Sequence, residues 1–399
     1  MIKISFLGDI ICQMPFLKAA QSRNNDFYTA FSKLDSLLKD SDYVVGNLET
    51  PIAGSESGYS EEIYSFNTPD SFLDALKKVK IDLYQTANNH CLDRGIEGLK
   101  NTLIELEKRQ MAHTGTSISK DEPKFFVKNI GDVKIAFFSY TDCVNSSKWE
   151  KYGKQLTDYN LNLMIDIDKY FTYREAYKAR TIPLYHIRKK LSGMVSRNFE
   201  FKVKNLLGIK LRPMIDNEPL DEVCGQYLDT VEEEIKKAKV GADLVIFLPH
   251  CGGQFNKNPG KLSQALFQKL FELNVDAIIA SHPHTIQKCG LFNDKPYAFS
   301  LGNVSPSPSY PFFIKEAKSE YGMIFHIYID NKKIVKSSFS LIKSVEQDDH
   351  YPIVWPIDEL YAASDDSNKA SLEQDIKVIF NRIFDDARKD YSIQKEYGV

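Results

Sequence analysis

Ile2-Lys3-Ile4-Ser5-Phe6-Leu7-Gly8-Asp9 is an apolar run that ends on a glycine and a carboxylate. The same grammar returns at Tyr43-Val44-Val45, which leads into Gly46-Asn47-Leu48-Glu49, and at Asp82-Leu83-Tyr84, which leads into Asn88-Asn89-His90. It returns twice more, at residues 244–248 before His250 and at residues 277–279 before Ser281-His282-Pro283-His284. Short runs of this kind read as strands buried on both faces of a parallel sheet. In an open α/β sheet, ligands collect outside the carboxyl ends of the strands. Residues hundreds of positions apart are therefore expected to share one crevice. Two carboxylates, one amide and up to four imidazoles meet there, which is the composition of a hydrolytic site built on divalent metal.

The intervening sequence supplies the helices. Phe27, Phe31, Leu34, Leu37 and Leu38 form a helical stripe before the second strand. Residues 70–80 predict a helix capped by Thr68 ahead of Pro69. Residues 95–110 predict another, with Ile96, Leu99, Leu103, Ile104 and Leu106 on its core face. Residues 125–129 and 134–140 read as a hairpin around Gly131-Asp132. The strand–helix rhythm resumes near Leu220 and continues through the strands that end at His250 and Ser281, followed by hairpin-like segments up to residue 341. The fold class is α/β, a sandwich with mixed sheets in the middle and helices outside.

Motifs that run from Asp9 to His284 need one large domain, placed at residues 1–345, with residues 346–399 as a C-terminal helical extension. Leu372, Ile376, Ile379, Phe380, Ile383 and Phe384 give that extension an amphipathic helix. The 399 residues carry a net charge of -3 with 26% charged residues, ordinary for a globular protein. No apolar run is long enough to span a membrane, and residues 1–7 are needed as a strand rather than a leader. The expected location is the cytoplasm, with a peripheral contact to the membrane as the variant. Six widely spaced cysteines form neither a disulfide framework nor a Cys-x-x-Cys knuckle, and read as small buried residues.

Residues 145–213 break the rhythm. They hold 15 Lys or Arg against 6 Asp or Glu, with many tyrosines, inside an otherwise acidic chain. No nucleic-acid module is recognisable in them, so no specific nucleic acid is expected. An ordinary helical insertion is one reading. The other is a basic lid over an anionic substrate, or a surface for anionic lipid or a membrane-bound synthase.

Carboxylate oxygens and imidazoles in one crevice favour one or two borderline divalent ions, Mn first, with Fe or Zn as alternatives. Glu49, ending the second strand beside Asp9 on the first, is the candidate bridge. His90 adjoins the amide ligand Asn89 and is expected to act as general acid, oriented by Asp93 three residues on. Arg94 and Asn47 are expected to meet the substrate. Gly-Asp and Asn-Leu-Glu alone are weak, since Gly-Asp after a strand is more often a turn; Asn-Asn-His says more, and His-x-His after a strand is the strongest single signal. His113, His186, His326 and His350 lack such context and read as structural or surface residues.

Taken in order, Gly8-Asp9, Gly46-Asn47-Leu48-Glu49-Thr50-Pro51, Ala87-Asn88-Asn89-His90 with Asp93 and Gly95, His250, Ser281-His282-Pro283-His284 and Ser300-Leu301-Gly302-Asn303 resemble the bacterial capsule synthesis (CapA-type) family. That family is linked to poly-γ-glutamate and other capsules and is related to calcineurin-like metallophosphoesterases. The resemblance covers about residues 1–142 and 220–342. It implies a four-layer αββα sandwich of the metallophosphoesterase type, with the basic insertion and the C-terminal helix added. It also puts Asp9, Glu49 and His284 on one metal, and Glu49, Asn89, His250 and His282 on the other, with His90 as the acid. The implied activity is hydrolysis of a phosphoester, or of an amide, in capsule or cell-surface polymer biosynthesis. The alternative is a non-catalytic assembly component that binds an acidic polymer. Two departures stand out. Ile11 occupies the place of a histidine in the wider phosphoesterase pattern, and Glu49 the place of an aspartate.

Overall fold

The computed structural model describes every residue except 62, 193–194, 196–198, 201–202, 204–205, 207–212, 311–313 and 385–390. β1 (Ile2–Ile10) runs parallel to β2 (Tyr43–Leu48), which continues in parallel to β3 (Leu83–Gln85) and β4 (Ala112–Thr114). A second sheet starts with the hairpin of β5 (Phe126–Ile130) and β6 (Val133–Thr141). It continues in parallel through β7 (Leu244–His250) and β8 (Ala277–Ile279), and is finished by the hairpin of β9 (Cys289–Phe292) and β10 (Lys295–Ala298). The chain then returns to the first sheet. β11 (Tyr321–Asp330) lies antiparallel to β1, followed by β12 (Lys333–Glu346), β13 (Pro352–Pro356) and the short β14 (Tyr397–Gly398).

Side-chain alternation turns these two sheets into layers. In β7, Leu244, Ile246 and Leu248 face the first sheet, where they meet Ile4, Phe6, Val45 and Phe325. Val245 and Phe247 face outward onto Val231 of α5 (Leu220–Lys239) and Leu266 of α6 (Lys261–Glu272). On the opposite side, Leu7 and Val44 bury Phe16 of α1 (Met14–Ser22), Phe72 of α2 (Ser71–Lys78) and Leu103 of α3 (Gly95–Lys108). Helices therefore cover both outer faces, the αββα order that the resemblance implied. Strands apolar on both faces follow from this layering.

Two local readings are corrected. Thr68 does not cap α2, because its hydroxyl pairs with the Thr50 hydroxyl at 2.7 Å. Ile104 leaves the core face of α3 and is 39% exposed, while Leu99, Leu103 and Leu106 are buried. A 3.6-residue period marks a stripe but does not fix its edge.

The insertion opens with Asn145, which enters the site described below, and its helix α4 (Ile167–Thr181) buries Ile167 and Tyr170 in the outer core of the second sheet. Lys189 pairs with Glu175. Much of the basic stretch after residue 192 lies outside the described residues. No helix among the described residues is long and apolar enough to cross a membrane.

The C-terminal segment joins the same body. Ile376, Ile379, Phe380 and Ile383 of α7 (Asp366–Phe384) pack into the inter-sheet core. Buried Arg382 donates to Thr285 Oγ1 at 2.8 Å and to the Ala317 carbonyl at 2.6 Å, bracing the loop just after His284. Near the last strand, Glu396 accepts from the hydroxyls of Ser338 and Tyr328, both at 2.7 Å, and pairs with Lys3 at 3.2 Å. Burial raises a carboxyl's pKa, yet these hydroxyls and Lys3 outweigh it and hold Glu396 down to about 2. A depressed folded value stabilises the fold above the unfolded pKa of about 4.3, and that contribution fades as pH falls towards the folded value. Glu396→Gln should thus lose about 1–2 kcal/mol at pH 7 by denaturant melting, and the gap from the parent should close as pH drops from about 4 to about 2.

Candidate metal centre

The site starts from a close approach of two backbones. The Asp9 N–H donates to the Gly302 carbonyl at 3.0 Å and the Val304 N–H to the Asp9 carbonyl at 2.8 Å. A Cβ on Gly8 would lie 2.1 Å from the Gly302 carbonyl oxygen, so only glycine fits before Asp9. This contact pins the carboxyl end of β1 over the other sheet and turns Asp9 into the crevice.

Asp9, Glu49, Asn89, His250, His282 and His284 converge there, and all are buried. His284 Nδ1 lies 3.2 Å from Asp9 Oδ2, and its Nε2 lies 3.7 Å from Glu49 Oε1. His250 Nε2 lies 3.6 Å from the same Glu49 oxygen, 2.8 Å from Asn89 Oδ1 and 3.0 Å from His282 Nδ1. Two ligand sets result, Asp9 with Glu49 and His284, and Glu49 with His250 and His282, the donor atoms of each lying within 4.8 Å of one another. Glu49 belongs to both, as expected of a bridge.

The electrostatics of this cluster are those of a cation cradle. Neither Glu49 oxygen has an N–H or hydroxyl donor, although both are buried, and the neighbouring polar group is the Asp9 carboxyl. Burial, then the charge of Asp9, pushes the Glu49 carboxyl well above its ordinary range. Burial and neighbouring imidazoles push His250 and His282 well below theirs. Burial also opposes the charge on Asp9, but hydrogen bonds from His284 and Asn47 leave it lowered. Neutral imidazole nitrogens and carboxylate oxygens that point at one another need positive charge between them. The residues present fit a divalent ion.

Backbone strain marks the same loop. His282 and His284 have φ of 104° and 53°, a region that costs a non-glycine residue about 1–3 kcal/mol. The His282 N–H is held by Asp9 Oδ2 at 3.2 Å, which keeps the loop folded over the crevice.

His90 stands at the edge of the cluster. Its Nδ1 meets Asp93 Oδ2 at 2.6 Å, its ring stacks on Phe66 at 4.2 Å, and its Nε2 lies 3.9 Å from Glu49 Oε1. Asp93 also accepts from the Phe66 N–H at 2.7 Å, so carboxylate, ring and stacking partner form one unit.

Two expected substrate contacts are placed elsewhere. Arg94 directs its guanidinium to the carbonyls of Ser57 and Gly58 at 3.1 and 3.2 Å and to the Ser65 hydroxyl, tying down the 57–65 loop. Asn47 is fully buried and donates to Asp9 Oδ1 at 2.8 Å, so it orients a ligand rather than facing solvent. Asn145 and Cys143 were not singled out from sequence, and Ser281 and Asn303 stood in the quoted motifs without a role. Asn145 accepts from the Asn89 amide and donates to Asp93 Oδ1, both at 3.1 Å, and the Asn303 amide oxygen meets His284 Nδ1 at 2.9 Å. Ser281 meets His250 Nδ1 at 3.0 Å, and the Cys143 thiol lies 3.5 Å from His282 Nε2. Their one signal is position, next to a ligand or just past a strand end. Cys12, in contrast, is a buried thiol pushed up by desolvation and hydrogen bonded to Thr68.

The chain is 21% identical over 305 residues to the PGA biosynthesis protein CapA of Bacillus subtilis, covering 76% of this chain and 62% of that protein. It is 21% identical over 307 residues to the capsule biosynthesis protein CapA of Bacillus anthracis, covering 76% of this chain and 59% of that protein. The match thus spans about three fifths of each relative's length. A crystal structure of the Thermus thermophilus protein TT1561 aligns with TM-score 0.35 at 10% identity, over 81% of this chain and 94% of that one. The model of the family described as bacterial capsule synthesis protein PGA_cap matches residues 3–306, which hold every ligand named above, and the chain belongs to that family.

Proposed function

We propose that this chain is a metal-dependent hydrolase that cleaves a phosphoester, in preference to an amide, during the biosynthesis of capsule, poly-γ-glutamate or another cell-surface polymer. The observation that carries the reading is the Glu49 carboxylate, which lacks an N–H or hydroxyl donor and is ringed by imidazole nitrogens and flanked by the His90–Asp93 pair. Asp9, Glu49 and His284 would hold one ion, and Glu49, Asn89, His250 and His282 a second, with Mn as the expected metal. Such ions supply Lewis acidity, polarising a phosphoryl oxygen and lowering the pKa of water.

The chain's own groups supply the rest. Asp93 accepts from His90 Nδ1–H and fixes the tautomer, so Nε2 is the nitrogen that hands a proton to the leaving oxygen. Phe66 stacks on that ring and keeps its plane, while Asn145 holds both Asp93 and Asn89. Asn47 and Asn303 fix the carboxylate and imidazole that face the phosphoryl group. Six cysteines, all reduced, suit the cytoplasmic location proposed for the protein.

Ile11, in place of an imidazole, favours a second reading, a non-catalytic component that binds an anionic polymer or a synthase. Metal analysis and turnover separate the two. The purified chain should carry Mn or another divalent ion and hydrolyse a generic phosphomonoester or phosphodiester. A metal-loaded protein inert towards both supports the second reading. His90→Ala should lower kcat about 100- to 10,000-fold with metal content unchanged. His282→Ala should instead lose bound metal on dialysis, and equal metal retention in both variants would contradict the ligand assignment.

A further inference from the structure

Beside the metal centre lies a small cavity of about 30 Å³ whose wall includes His90, His284, Ile11, Phe66, Tyr310 and Ser319. His90 and His284 belong to the proposed catalytic cluster, so whatever enters the cavity lies next to it. Three properties define what fits. The first is size, since a water needs roughly 10–15 Å³ of such space, and about two heavy atoms can be seated. The second is charge, because the described lining residues include no Lys, Arg, Asp or Glu. A carboxylate or a second phosphate seated there would lose its hydration without a counter-charge. The third is unused hydroxyl capacity. Ser319 Oγ is buried with no hydrogen-bond partner, and the Tyr310 hydroxyl, also buried, has the Tyr64 backbone N–H as a donor but no acceptor for its own proton.

Buried hydroxyls with unmet hydrogen bonds are uncommon and cost stability unless a ligand satisfies them. These two lie past residue 306, where the family match ends. Ile11 lines the same cavity, and replaces a candidate ligand with an apolar wall.

We propose that this cavity is a specificity subsite that selects phosphoesters whose alcohol carries an uncharged hydroxymethyl group, as in a polyol or glycosyl phosphate. The Tyr310 and Ser319 hydroxyls bond that hydroxyl, while Phe66 and Ile11 pack its carbon. This deepens the hydrolase reading above and rests on it for the reaction. It also disfavours a carboxylate-rich group, such as a glutamyl residue, at this position.

The test compares glycerol 2-phosphate with isopropyl phosphate, which has the same carbon skeleton without the two hydroxyls. With the Mn-loaded full chain, kcat/KM should favour glycerol 2-phosphate by about 10- to 100-fold. In the double variant Tyr310→Phe with Ser319→Ala, that ratio should fall to near one. A ratio cancels any loss of folded protein, so a poorly folding variant still reports. Equal turnover of the two esters by the parent, or a preference that survives in the double variant, would overturn the assignment. Should neither ester be cleaved, the hydrolase reading fails and calorimetry decides the subsite alone. Glycerol 2-phosphate binding at least tenfold tighter than isopropyl phosphate, lost in the double variant, sustains it, and equal or absent binding overturns it.

Discussion

Glu49 is a carboxylate sealed inside the protein with no hydrogen-bond donor for either oxygen. Leaving an acid in that state costs on the order of several kcal/mol if it is charged. Its nearest neighbours are imidazole nitrogens and the edge of Asp9, none of which is a fixed cation. Burial of such a group beside His250 and His282, which burial keeps from protonating, supports the proposed need for a positive charge supplied from outside the chain.

The backbone meets the need by bringing strand ends together from both sheets. β1 and β2 deliver Asp9 and Glu49 side by side, and β7 with the loop after β8 delivers the three imidazoles across the gap. The Gly8–Gly302 approach locks the two halves in register, and strain at His282 and His284 is stored where the loop folds back. Arg382, from a helix almost a hundred residues away, holds Thr285 and so supports that loop from behind. The C-terminal segment lies beyond the matched family region, yet it is mechanically part of the site.

The strands were legible because burial on both faces writes unbroken apolar runs, and the ligands were legible because each closes such a run. Layer order also followed, since helical stripes alternate with those runs. What periodicity does not carry is the direction of a side chain after a turn. Arg94 follows Asp93 directly, but the start of α3 turns it onto the 57–65 loop instead of into the crevice. Asn145 and Cys143 act through contacts with residues distant in sequence, which no local pattern announces. The orphan hydroxyl of Ser319, and the Tyr310 hydroxyl beside the same cavity, are visible only once the cavity wall has formed.

The most direct measurement is a crystal structure of the Mn-soaked protein with an anomalous difference map at the manganese edge. The expected result is density touching Glu49, with one peak beside Asp9 and His284 or a second about 3.5–4 Å away beside His250 and His282. A map without a peak in this crevice, at Mn concentrations that saturate binding in solution, would contradict the account.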